Sequence, residues 1–219
     1  MRSRGRGLAP PADAPELPDA MTGLQAWLSS TRAVGERTVI ALGPLTNIAH
    51  LVTQAPGAAA RITRLVWMGG SRGPGNHSAM AEFNALADPE AVASVLDAGL
   101  PMDVVDLTLC RSVTFAEQDM PDCDPLTADL LGGYLDIALD RGRSRMAIYD
   151  PVAAWAAAAP GLFAFEPMSM VISTVPDDSY GATRFSPDPG APTRLAISAP
   201  PDLHTRCLSA LDRENAHVH

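Results

Sequence analysis

The sequence predicts an α/β fold with an open, mostly parallel sheet and flanking helices. Three observations carry that prediction. Three short apolar runs, "RTVIALG", "ITRLVWMGG" and "PMDVVDLT", are each bounded by Gly or Pro, as strands buried on both faces are. Apolar residues at helical spacing fill the gaps between them. Strand alternating with helix is the pattern of parallel pairing with crossover connections. In such sheets ligands bind beyond the carboxyl ends of the strands.

The elements follow in order. Residues 1–18 are rich in Pro and Ala, lack periodicity and read as an irregular N-terminal segment; residues 19–213 read as a single α/β domain. Met21, Leu24, Trp27 and Leu28 give a helix over Asp19 to Val34, with Asp19 or Thr22 as its cap. "RTVIALG" is a buried strand ended by Gly43-Pro44, and "LTNIAHLVTQAP" a helix closed by Pro56. "ITRLVWMGG" is the second buried strand. A polar, Gly-rich loop leaves it and leads to a helix from Asp88 to Asp97, which Gly99 ends. "PMDVVDLT" is the third strand and "LTADLLGGYLDIALDRG" an amphipathic helix. "MAIYDPVAAWAAAAPG" places Asp150 at a helix start, Pro151 at its first position and Pro160-Gly161 as the stop. "MSMVIST" and "TRLAIS" read as strands, "PDLHTRCLSAL" as the last helix and "RENAHVH" as a frayed end.

Composition limits the function. A chain of 219 residues that is 47% hydrophobic has enough apolar side chain for one sizeable core. A net charge of −9 argues against a nucleic-acid backbone as partner, and the arginines at 2, 4 and 6 are too few for a basic arm. Cys110, Cys123 and Cys207 are odd in number and form no C-x-x-C, which argues against a disulfide framework or a zinc site and suggests a cytoplasmic protein. No apolar run reaches the length of a membrane span, so no membrane partner is expected. The basic start has no apolar stretch behind it, so no signal peptide is expected.

The chemistry concentrates in "WMGGSRGPGNHSAMAEFNALADPEA", the loop past the second strand. Glu82 and Asn84 stand two apart, and in extended chain both would face one ligand; a solvated polar loop is the alternative. Asn76 after Gly75 is a ligand contact or a turn residue. Asp88 in "ADPEA" reads as a helix cap. Asp150 in "YDP" reads as a cap, and a helix start beyond a sheet edge is also where sites form. The glycines of "GGSRGPG" do not match the spacing of a dinucleotide-binding turn, and no helix opens directly after them. The five histidines are scattered, with none paired at metal spacing.

Taken in order, "TVIALGPLTNIAHLVTQAP", "ITRLVWMGGSRGPGNHSAMAEFNALADPEAV", "PMDVVDLT" and "YDPVAAW" resemble the inosine-uridine preferring nucleoside hydrolase family. The likeness runs from about Ala20 to the last helix. It implies a nucleoside hydrolase-like sheet and hydrolysis of the N-glycosidic bond of ribonucleosides to free base and ribose, with Ca²⁺ holding the ribose hydroxyls and a nucleophilic water. Carried over by motif, the Leu42 backbone carbonyl and the Asp150 carboxylate would be metal ligands. Met68, Asn76, Glu82 and Asn84 would line the ribose pocket. Tyr149 would take the place of a His often found there as acid to the leaving base; with an ordinary pKa near 10 it is a poorer acid at neutrality. Family members often associate as homo-oligomers.

One family motif, the Asp-rich D-x-D-P-G-x-D-D at the end of a first strand, has no counterpart in this sequence. The expectation is therefore a domain without the family's N-terminal strand, a calcium site short of carboxylates, and a chain that is a fragment, is inactive, or is a non-catalytic riboside-binding or subunit-type relative.

Overall fold

Side-chain alternation along the strands builds the two cores. A computed structural model describes residues 20–30 and 37–212. The expectations for the irregular segment at 1–18, for a cap at Asp19 and for the frayed "RENAHVH" lie outside the described residues. The elements are α1 (Ala20–Ser29), β1 (Thr38–Ala41), α2 (Thr46–Gln54), α3 (Pro56–Ala59), β2 (Arg64–Met68), α4 (Phe83–Ala87), α5 (Pro89–Asp97), β3 (Met102–Val105) and α6 (Leu107–Ser112). They continue with β4 (Thr114–Phe115), α7 (Pro125–Asp140), β5 (Met146–Ala147), α8 (Asp150–Ala158), β6 (Ala164–Ile172), β7 (Thr183–Pro187), β8 (Thr193–Ser198) and α9 (Leu203–Ser209).

The main sheet has the order β1-β2-β3-β8-β6-β7, and β4 pairs with β5 in a small second sheet. The ladders β1–β2, β2–β3 and β3–β8 are parallel; β6 pairs antiparallel with both β8 and β7. Along β2, Leu65 and Trp67 enter one core while Val66 and Met68 enter the other, because successive side chains point to opposite faces. The first core is completed by residues of α1, α2, α3 and α5, the second by α6, α8 and α9. No helix among the described residues is long and apolar enough to cross a membrane.

Several local expectations are corrected. Helix α1 ends at Ser29 rather than at Val34, and Thr22 lies inside it rather than capping it. "RTVIALG" is not a fully buried strand: among the described residues β1 occupies a sheet edge, and Ile40 is 43% exposed. β6 starts four residues earlier than "MSMVIST" and runs through Pro167. The proline is tolerated because the ladders change hands there: Ala164 to Pro167 pair with β8, and Met168 to Ile172 pair with β7. β7 and α6 have no clear periodic signal, being five and six residues long.

A buried charge cluster sits at the amino ends of the strands. Asp103 of β3 is 2% exposed. Its Oδ2 accepts from Arg64 Nε at 2.7 Å, and Arg194 donates Nε at 2.7 Å and Nη2 at 2.8 Å. The ring of Phe165 lies beneath both guanidinium groups. Arg64 also donates to the carbonyls of Ala157 and Ala156 at 3.0 and 2.8 Å. These are orphan carbonyls of the last turn of α8, where a cation is favoured.

Removing the acid would leave two arginines without their shared counter-ion. Asp103→Ala is expected to lower the unfolding free energy by about 3 kcal/mol, as breaking a buried pair does. Asp202→Ala, which breaks the exposed pair with Arg206, is expected to leave it essentially unchanged, since a water-screened surface pair contributes little. Urea titration of both variants measures the difference.

Candidate active site

The grip of Arg64 on the tail of α8 fixes the direction of that helix. The carboxyl end of α8 lies at the start of β2, so the helix runs antiparallel to the strands. Its first residue, Asp150, is carried to the opposite end, where β1, β2 and β3 deliver Leu42, Gly69 and Asp106. The nine residues of α8 and five of β2 span comparable lengths, at about 1.5 Å and 3.3 Å per residue.

The capping reading of Asp150 is corrected. The helix begins at Asp150 itself, Tyr149 is the cap residue, and no side chain bonds the first turn. Pro151 has no N–H to offer there. The Asp150 carboxylate accepts no hydrogen bond from the described residues, and it stands at a helix N-terminus that favours negative charge. Partial burial nonetheless pushes it above the ordinary aspartate range. Asp88 is a cap as expected: it accepts from Ala91 N at 3.0 Å and from the Thr46 hydroxyl.

Glu82 and Asn84 do not lie on extended chain. Glu82 is the N-cap of α4, which contains Asn84. Its carboxylate curls back to accept from Asn84 N at 2.9 Å, Ala85 N at 3.0 Å and Gly70 N at 3.0 Å. One buried acid therefore ties the start of α4 to the end of β2. Burial raises its pKa most; the three backbone N–H groups pull it down, and the charge of Asp150 adds to the rise. Asn84 donates its Nδ2 to the Met68 carbonyl at 3.0 Å and, more weakly, to the Leu42 carbonyl at 3.4 Å. These bonds set the amide orientation, so Oδ1 is the end left open. Asn76 is the mirror case: its Oδ1 accepts from Phe83 N at 2.9 Å, which leaves Nδ2 open on an exposed residue. Met68 is 3% exposed and belongs to the second core, so its side chain underlies the site rather than lining it.

The intervening loop is closely wound. Ala81 O accepts from the N–H groups of Asn76, His77 and Ser78. A Cβ at Gly75 would fall 2.2 Å from that carbonyl, so only glycine fits there. Helix α6 holds the loop from the side. Asp106, fully buried, caps α6 at Leu109 N and accepts from Arg72 N at 2.8 Å and from the Arg72 guanidinium. Arg111 reaches the carbonyls of Pro74 and Gly75. Sequence reasoning missed both residues; an Asp straight after an apolar run was the available signal for the first.

The two sides of the site meet electrostatically. The charge of Asp150 acts on Glu82, and both act with Asp106 on the buried Cys110 thiol, whose pKa burial pushes well up. Cys110 Sγ lies 3.9 Å from the Tyr149 carbonyl. Burial raises the Tyr149 hydroxyl, against the charges of Arg111 and Arg143. Beside Tyr149 and Asp150 opens an apolar pocket of about 250 Å³, walled by Phe115, Leu131, Tyr134 and Leu208.

Calcium takes six to eight oxygen ligands. The donors assigned here, the Leu42 carbonyl and the Asp150 carboxylate, supply too few. The Leu42 carbonyl already receives the Asn84 amide, and the described residues contain no group of three or more His, Cys, Asp or Glu able to hold a metal ion. The described residues alone do not fit Ca²⁺, and no chemical step is derived through it.

Comparison with known proteins gives a consistent picture. A family model described as "Inosine-uridine preferring nucleoside hydrolase" matches residues 4–215. The non-specific ribonucleoside hydrolase RihC of Klebsiella pneumoniae (strain 342) is 34% identical over 152 residues, 67% of this chain and 49% of that protein. The RihC of Escherichia coli O9:H4 (strain HS) is 32% identical over 155 residues, 69% of this chain and 51% of that protein. The chain thus spans about half the length of the curated relatives it matches. An inosine-uridine preferring nucleoside hydrolase structure from Bacillus anthracis superposes with a TM-score of 0.66 at 25% identity, over 86% of this chain and 65% of that one. A purine-preferring ribonucleoside hydrolase from Gardnerella vaginalis gives 0.78 at 21% identity, over 90% of this chain and 67% of that one, and shows the shared fold.

The raised carboxyl at residue 150 has a testable sign. A folded pKa above the unfolded one contributes stability that is present below the ordinary aspartate value of 3.8 and is lost as pH rises through the folded value. At pH 7 the carboxylate is therefore a cost. Asp150→Asn is expected to raise stability by about 0.5 kcal/mol, a small gain because the exposed group is screened by water. The gain should shrink toward zero as pH falls through the raised value. Thermal unfolding of both proteins across pH measures it.

Proposed function

Because the chain belongs to the inosine-uridine preferring nucleoside hydrolase family, we propose that the cluster at the carboxyl ends of β1, β2 and β3 binds the sugar of a ribonucleoside and serves hydrolysis of its N-glycosidic bond. One observation carries the reading. Asn76 and Asn84 leave opposite amide ends free of protein hydrogen bonds among the described residues, a donor from one and an acceptor from the other, in the segment that carries the Glu82 carboxylate, on which the charge of Asp150 acts. A sugar hydroxyl both donates and accepts, so a mixed set of this kind suits it.

Departure of the base builds positive charge on the ribose ring, an oxocarbenium-like transition state. The two carboxylates act on that charge from a partly desolvated site, where their effect exceeds its value in water. The Tyr149 hydroxyl, held protonated by its burial, donates a hydrogen bond to the leaving base. The apolar pocket behind it takes the flat face of the base. Ca²⁺ is the ion the family resemblance implies, and its remaining ligands would come from outside the described set. A second reading, riboside binding without turnover, is favoured by one fact: Asp150 is the only carboxylate of the cluster that no described hydrogen bond engages.

Calorimetric titration with inosine and uridine, with and without Ca²⁺, is run beside an assay for free base. Binding is expected, with Asn76→Ala and Asn84→Ala each weakening it about tenfold, the loss of a hydrogen bond or two. Release of free base identifies the hydrolase; binding without release identifies the second reading. Neither binding nor release would remove both.

A further inference from the structure

The loop carrying Asn76 is held from outside by a cation on another element. Arg111, in the last turn of α6, donates Nη1 to the Pro74 carbonyl at 2.7 Å and Nη2 to the Gly75 carbonyl at 2.8 Å. The Gly75 carbonyl belongs to the peptide plane that contains the nitrogen of Asn76. The fork therefore fixes the plane from which Asn76 projects, and charge-assisted bonds of this length are the strong kind. Two consecutive carbonyls match a planar guanidinium and do not match a single ammonium. Asp106, at the start of the same helix, holds Arg72 by backbone and side chain, so α6 grips the loop at two points. The charge of Arg111 is also felt at Tyr149, beside Asp150.

The geometry points to Arg111 as a positioning residue of the riboside site, fixing Asn76 through the carbonyls of Pro74 and Gly75 without touching the ligand. This rests on the riboside reading above. The Arg111 fork limits how far the Asn76 amide strays from the Asn84 and Glu82 groups across the loop.

The test uses Arg111→Ala and Arg111→Lys in the full chain, with hydrogen exchange by mass spectrometry and inosine titration. In Arg111→Ala, exchange over residues 75–83 is expected to rise about tenfold while β2 and α5 stay protected, as local opening predicts. The inosine Kd is expected to rise about tenfold. Added guanidinium ion at non-denaturing concentration restores both toward wild type, which a general loss of stability would not allow; Arg111→Lys restores only part. Unchanged exchange in the loop overturns the inference, as does a rise spread evenly over the chain or the absence of recovery with guanidinium. If the wild-type chain binds no inosine, the riboside reading falls separately, and loop exchange with its recovery still decides whether Arg111 fixes Asn76.

Discussion

Asp103 sits where three strands and a helix must agree. Its carboxylate faces Arg194 directly across the β3–β8 ladder and Arg64 across β2–β3. Arg64 in turn closes the last turn of α8. A carboxylate so deeply buried is tolerable only with full hydrogen bonding, and its partners come from two different strands. The cluster therefore specifies which strands are neighbours, how they are staggered, and which way α8 runs. Asp150 arrives at the far end of the sheet because the tail of its helix is held at the near end.

That arrangement separates stability from chemistry along one axis. At the amino ends, one buried acid is paired by two arginines. At the carboxyl ends, negative charge accumulates. Glu82, Asp106 and Asp150 all act on the buried Cys110, and Arg72 pairs only with Asp106. Glu82 and Asp150 both sit above the ordinary carboxylate range because of burial. Carboxylates held partly out of water suit the proposed ligand, which becomes positively charged.

Glu82 shows how one residue serves both ends of this division. Three backbone N–H groups converge on it, from Gly70, Asn84 and Ala85. They hold the carboxylate still, and they order the loop and the short helix that present Asn76 and Asn84. Capping and loop-ordering roles thus coincide on a single side chain inside the candidate site, which a cap-or-ligand choice made residue by residue does not anticipate. Asp150 shows the converse: its position looked like a cap, yet no side-chain cap hydrogen bond ties it to its helix.

Short apolar runs and helical patterning in the sequence determined the alternating layers and the address of the candidate site beyond the second strand, because burial on sheet and helix faces imposes those patterns locally; the division into two cores came from the structure. The motif blocks from Thr38 to Val92 pointed to Asn76, Glu82 and Asn84, and the separate block "YDPVAAW" pointed to Asp150. Only the tertiary structure decided that β1 lies at an edge, that β6 and β7 extend the sheet antiparallel, and that Glu82 caps α4 while Asn84 bridges two strand ends. It also revealed Asp106 and Arg111, whose partners lie more than thirty residues away in sequence. Side-chain contacts across such separations leave no local pattern, since the entropy of closing the intervening chain is overcome by the packed core and not by the contacting residues themselves.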